Sequence, residues 1–266
     1  WGVLLSGIIQ IVFLFYAISK NEIIIQYSKN YLTAPLIKFY KLFLPSILSS
    51  GILQINILIG TVIASFESGA VSYLYYADRI YQLPLALIGI AIGITMLPNI
   101  SKKIKVSSKK EVNNTIEKTI IYSLLLAIPA SIALYVMPEI IIKTLFERGA
   151  FNEISTYNSS LALKLFSLGL VAFILTKILT PIYFANENPK PPMNFALITV
   201  IINASLSIYL FQIIGFVGIA VATSIASWCN VILLYIDLKN KDYFSHTKGI
   251  LNPLLIIILS SLILFI

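Results

Sequence analysis

Long apolar runs separated by shorter polar segments recur from one end of the chain to the other. Eight of them, at residues 1–18, 44–66, 71–98, 119–137, 159–184, 192–213, 216–236 and 249–266, are each long enough to cross a hydrocarbon layer of about 30 Å as a helix. Membrane-spanning strands would be shorter and would alternate apolar with polar positions, so the pattern predicts an all-α, polytopic transmembrane helical bundle. The polar segments between the runs differ in charge. Segments 19–43, 99–118, 185–191 and 237–248 hold 14 of the 19 Lys and Arg residues, whereas 67–70, 138–158 and 214–215 hold only Lys143 and Arg148. The excess of cations places the first group in the cytoplasm and the N-terminal end of the chain outside. Arg79, Lys164 and Lys177 are left inside predicted spans.

The segment from Ser19 to Phe43 is polar at first and amphipathic later, as expected of a linker between two structural halves. The run Lys102-Lys103-Ile104-Lys105 through Lys109-Lys110 reads as a solvated cytoplasmic anchor facing lipid. Between Pro138 and Tyr157 the apolar residues are too few to span, which predicts a short helix at the interface ending at Gly149. Gly215 and Gly218 predict a tight external turn. Gln54, Asn56 and Asn203, within spans, are expected to hydrogen-bond between helices.

Composition narrows the class further. With 58% hydrophobic residues, 11% charged residues and a mean hydropathy of +0.92, this is not a soluble domain. The net charge of +8 is accounted for by anchoring against anionic lipid, and nucleic acid is not an expected partner. The single Cys229 excludes an intrachain disulfide, and the one histidine, His246, lies in a cytoplasmic segment without companions for catalysis or metal binding. An enzyme is therefore not expected, and neither is a cofactor. The chain starts at Trp1 and stops at Ile266 within apolar runs, as expected of a fragment cut at both ends.

The candidate chemistry is concentrated in Tyr75-Tyr76-Ala77-Asp78-Arg79-Ile80-Tyr81-Gln82-Leu83-Pro84. An arginine near the middle of a bilayer helix costs about 2.5–3.5 kcal/mol, so it normally faces a protein interior or a wet cavity. At helical spacing Tyr75, Tyr76, Arg79 and Gln82 share a side, with Asp78 turned about 100° away and poorly placed to neutralise the arginine. The next turns on the arginine side are Ala86, Gly89 and Gly93, small enough to admit another helix. Lys177 lies about two turns from the cytoplasmic end of its span, beside Thr180 and Pro181, where it can snorkel or line a cavity. Snorkelling is the expected role of Lys164, close to the outer end. Isolated cations and tyrosines in apolar helices suit a transporter, and a cationic cavity suits an anionic substrate, with arginine the natural phosphate ligand. A structural arginine bonded to backbone carbonyls is the competing reading.

The stretch from Ser68-Gly69-Ala70 through Tyr75-Tyr76-Ala77-Asp78-Arg79 to Leu83-Pro84, continuing into Gly89, Gly93 and Leu97-Pro98, resembles the signature eighth helix of the lipid II flippases, the MurJ/MviN family. This family belongs to a superfamily that also holds polysaccharide flippases and MATE antiporters. Phe146-Glu147-Arg148-Gly149-Ala150-Phe151 is similar to the family's external loop, and Lys177-Ile178-Leu179-Thr180-Pro181 with Tyr183 to its tenth helix. The resemblance implies that the chain covers helices six to thirteen of fourteen. Residues 1–18 would be the last helix of an N-terminal lobe, 19–43 the linker, and 44–266 the C-terminal lobe of a two-lobed alternating-access transporter. It also implies that Arg79 is a cavity arginine, Asp78 its neighbouring aspartate and Lys177 the tenth-helix lysine. Tyr75, Tyr76 and Gln82, the last standing where some members carry glutamate, would hydrogen-bond the headgroup. The implied partner is lipid II, an undecaprenyl-diphosphate-linked precursor, moved outward by a monomer in the bacterial inner membrane. A flippase for another polyprenyl-linked glycan, an ion-coupled drug exporter and a non-transporting scaffold of the cell-wall machinery are the alternatives.

Overall fold

The structure is a computed structural model that describes residues 2–20, 33–244 and 251–262. Trp1, part of the 19–43 segment, His246, and both ends of the 249–266 run lie outside the described residues. Packing divides the chain into two compact units, Trp1–Lys41 and Leu42–Ile266. The first unit contains α1 (Gly2–Lys20), apolar almost throughout and closed by Lys20 in its last turn. Helix α2 (Ala34–Ala64) begins inside the segment expected to be a linker and continues through Pro45 into the second predicted span. The amphipathic end of that segment is thus helical.

In the larger unit, α3 (Ala70–Pro84), a π-helical turn (Leu85–Ile90) and α4 (Ala91–Val106) form one continuous stretch. Its 37 residues exceed what a hydrocarbon layer requires. Pro84 removes a backbone donor, and the π turn follows it directly, which re-satisfies carbonyls that a straight helix would leave open. Helix α5 (Lys109–Val136) begins ten residues before the span expected at 119, so the lysine run is not a loop. It is the end of α4 and the start of α5, joined through extended Ser107 and Ser108. Ser108 caps α5, its side chain accepting the Glu111 N–H at 3.4 Å, and Glu111 stands at the third helical position of a Ser-x-x-Glu capping box. The short α6 (Pro138–Phe146) starts on proline and ends three residues before Gly149, which instead supplies a φ of 62° in the following turn.

Helix α7 (Glu153–Ala185) is the axis of this unit and packs against α3, α4, α5, α6 and α9 (Val217–Asn240). Asn152 caps it, accepting the Ser155 N–H at 3.0 Å. Small residues bring α7 and α9 together: a Cβ on Gly169 would lie 2.8 Å from Ser224 Oγ. Ser224 donates to the Leu165 carbonyl, Trp228 Nε1 to Leu168 and Ser131 of α5 to Ser167, at 2.7, 2.9 and 2.6 Å. One turn-rich band of α7 carbonyls thereby ties three helices together. At the far end, the Tyr183 hydroxyl donates to the Leu234 carbonyl at 2.9 Å.

Helix α8 (Lys190–Ile214) returns into α9 through Gly215, whose φ of 68° makes the expected turn. Gly218 is the first turn of α9 proper, where any side chain would strike the Leu210 backbone at 2.6 Å. Glu67 caps α9 from the loop before α3, accepting the Phe216 N–H at 2.8 Å. Asn203 Nδ2 donates to Asn56 Oδ1 at 2.7 Å, the interhelical role expected of both; Gln54 is exposed instead. Among the described residues there are no strands, and the remaining helix is α10 (Leu251–Leu262), which packs on α5.

Candidate functional site

Of the candidate substrate-binding residues, Tyr75, Tyr76, Asp78, Arg79 and Gln82 lie on α3 and Lys177 on α7. Arg79 is exposed, with its guanidinium carbon 4.5 Å from the centroid of the Tyr75 ring, which is itself exposed. Arg79 makes no ion pair among the described residues. Asp78 does not neutralise it by contact: its carboxylate accepts a hydrogen bond from Gln82 Nε2 one turn along, and the Tyr81 hydroxyl is turned to it as well. Gln82, placed with the arginine by helical spacing, is thus bonded to Asp78 in this structure. Gln82 and Asp78 are four positions apart, within reach on adjacent turns, and the amide is spent on the carboxylate. With no ion pair among the described residues, the Arg79 guanidinium is acted on by Asp78 only through space.

Tyr76 has a packing role as well. Its ring packs at 4.9 Å from Phe146 and 4.8 Å from Phe151, so α3 is braced against α6 and the turn that follows it. The Tyr75 and Tyr76 rings meet edge to face at 6.1 Å. Tyr81, absent from the sequence-based set, is buried and stacks on Phe173 at 5.3 Å and near Phe166 at 5.1 Å. Its signal was present in the sequence as an aromatic three positions after the aspartate, but only the neighbouring α7 rings make it an anchor.

The π turn redistributes the faces of this stretch. In a straight helix Gly93, fourteen positions after Arg79, would fall about 40° from it. One extra residue in the turn carries Gly93 to about 140° away. Gly89 and Gly93 are accordingly buried against α7, a Cβ on Gly93 lying 2.7 Å from the Lys177 carbonyl oxygen, while Arg79 faces out. The glycines do admit a helix, as expected, but on the side opposite the arginine. The same contact sets the depth of Lys177. Its backbone sits level with Gly93, about 20 Å along the helix axis from Arg79 at about 1.5 Å per residue. Lys177 is half-buried and makes no ion pair or hydrogen bond with any α3 residue among those described. Lys164 is held at 4.9 Å over the Tyr135 ring, a cation–π contact in place of simple snorkelling.

Arg79, then, is a free cation on a membrane helix whose adjacent carboxylate is already engaged. The model of the family described as "Lipid II flippase MurJ" matches residues 1–266. The chain belongs to the MurJ lipid II flippase family. The probable lipid II flippase MurJ of Rhizobium tropici is 36% identical over 264 residues, which are 99% of this chain and 50% of that protein. Among solved structures, a lipid II flippase MurJ in an inward closed conformation superposes with a TM-score of 0.69 at 28% identity, over 95% of this chain and 58% of that one. The Vibrio cholerae MATE transporter VcmN in its bent form shares the fold alone, at a TM-score of 0.70 and 15% identity over 85% of this chain and 53% of that one. The chain spans about half the length of the curated MurJ relatives it matches. MurJ proteins are transporters, and the long apolar helices make this one a multi-pass membrane protein.

Proposed function

We propose that the chain works as the C-terminal half of a lipid II flippase of the bacterial inner membrane, acting as a monomer on an undecaprenyl-diphosphate-linked precursor. Residues 44–266 then belong to the C-terminal lobe, 1–18 to the last helix of the N-terminal lobe and 19–43 to the link between them. The observation that carries this reading is the unpaired Arg79 on a membrane-embedded helix, held over Tyr75 while Asp78 is occupied by Gln82. A cation kept free in such a place has a use for its charge, and a guanidinium can bond two phosphate oxygens at once. Asp78 acts on the site through Gln82 and Tyr81, and Tyr76 by bracing α3. Lys177, about 20 Å nearer the lysine-rich side, meets the diphosphate at a different stage of its passage from Arg79, not beside it.

The test uses the full-length gene product at matched membrane levels, measuring rescue of flippase-depleted cells and binding of the lipid-linked substrate. Arg79→Ala is expected to abolish rescue and weaken binding about 30-fold, the loss of a charge-assisted hydrogen-bonding pair. Arg79→Lys keeps the charge without the fork and is expected to fall between alanine and wild type. Full rescue and normal binding by Arg79→Ala would overturn the proposal.

A further inference from the structure

The α4–α5 hairpin carries the densest positive charge in the chain, and its geometry is more specific than a charged loop. An open cleft of about 440 Å³ runs along α5, lined by Glu111, Thr115, Lys118, Thr119 and Tyr122 and bordered by Lys103 of α4. The Thr115 hydroxyl donates to the Glu111 carbonyl at 2.9 Å, which turns its lone pair to accept from Lys103 Nζ at 2.7 Å. That bond holds the ammonium at the cleft and leaves two of its three N–H donors open. Lys118 is exposed on the adjacent turn of α5 and makes no ion pair among the described residues. Two lysines against the one carboxylate of Glu111 leave the cleft positive.

The exposed face of α5 then changes character along its length. Glu111 and Lys118 give way to Tyr122, Leu125 and Leu126, which are 61%, 50% and 55% exposed. Polar groups, then an aromatic with a hydroxyl, then aliphatic side chains is the order met on passing from headgroups into hydrocarbon. A wall of a water-filled cavity would stay polar beyond Tyr122. The distribution of cations assigns the hairpin to the cytoplasmic side, where the anionic lipids of the membrane lie.

We propose that this cleft binds one anionic glycerophospholipid of the cytoplasmic leaflet, its phosphate between Lys103 and Lys118 and its acyl chains along Leu125 and Leu126. The site is separate from the Arg79 face and does not depend on the transported substrate. Asn114, on the same rim, is placed to hydrogen-bond a glycerol headgroup.

The test is native mass spectrometry of the detergent-solubilised full-length protein titrated with phosphatidylglycerol and, separately, phosphatidylcholine. Phosphatidylglycerol is expected to bind more tightly, and K103Q/K118Q to weaken it about 30-fold, the effect of removing two interfacial lysines. K118R should retain binding, and the control K102Q/K110Q, which removes two exposed lysines outside the cleft, should lose no more than about threefold. Equal losses in the cleft and control pairs would mean diffuse attraction and overturn the proposal. So would equal affinity for phosphatidylcholine, or complete displacement of phosphatidylglycerol by millimolar glycerol 3-phosphate, which would mark a site for small soluble anions.

Discussion

The α7–α9 interface and the outward face of α3 are both built on apolar membrane helices, yet they use polar groups in opposite ways. Between α7 and α9 the polar side chains that cross find fixed partners: Ser224, Trp228 and the Tyr183 hydroxyl donate to carbonyls of the opposing helix, and Gly169 lets the backbones close up. Asp237 of α9 reaches the end of that interface beside the Tyr183 hydroxyl, and Lys241 pairs with it there at 2.8 Å. On α3 the polar groups sort themselves differently, with Gln82 and Tyr81 taken by Asp78 and Arg79 left on the surface over an aromatic face. Satisfied groups in a low-dielectric interior hold a lobe rigid, whereas a cation with free donors gains its partner only when a ligand arrives. The Gly93 contact with α7 joins the two regions, so the arginine is presented from a packed scaffold and not from a loop.

The contrast can be broken most severely at the helix contacts. Gly218→Val places a side chain against the Leu210 backbone, which cannot yield as a flexible side chain could. It is expected to cost about 3 kcal/mol and to be seen as loss of folded protein in detergent by thermal unfolding. A stability unchanged within about 0.5 kcal/mol would show that α8 and α9 are not locked together. Tyr183→Phe is milder. It leaves the Leu234 carbonyl to its helical bond alone, and an expected loss of about 1 kcal/mol should leave substrate binding by the intact protein unaltered. Loss of binding without loss of stability would instead move Tyr183 into the site.

On the other side of the comparison, Tyr75→Ala removes the aromatic face beneath Arg79 without touching a packing contact with α7. Substrate binding is expected to weaken about threefold, in keeping with an exposed cation–π contact, with unchanged thermal stability. Tyr75→Phe should be nearly neutral, because the ring remains. A large defect in Tyr75→Phe would mean that the hydroxyl, and not the ring face, serves the ligand.

The amino-acid sequence alone determined the class of the protein. Runs of apolar residues too long for anything but membrane helices, the lysine distribution, the turn glycines, and an Arg next to an Asp in a tyrosine-rich helix are all one-dimensional facts, and they identify the family. That Asn56 and Asn203 would hydrogen-bond between helices followed from the rarity of amides in such helices, but only the packing made them each other's partners and left Gln54 exposed. What the tertiary structure decided depends on departures from a constant helical period and on choices among near neighbours. The π turn after Pro84 rotates Gly89 and Gly93 away from Arg79, because one extra residue in a turn resets every face beyond it. Gln82 can reach either the ligand side or Asp78, and the carboxylate's unmet hydrogen bonds draw it inward. The lysine run reads as a loop by charge, but the capping box at Ser108 and Glu111 lets both helices continue through it, since a local hydrogen bond outweighs composition at a helix end. The depth of Lys177 relative to Arg79 is a property of two helices side by side, and only the Gly93 contact registers one against the other.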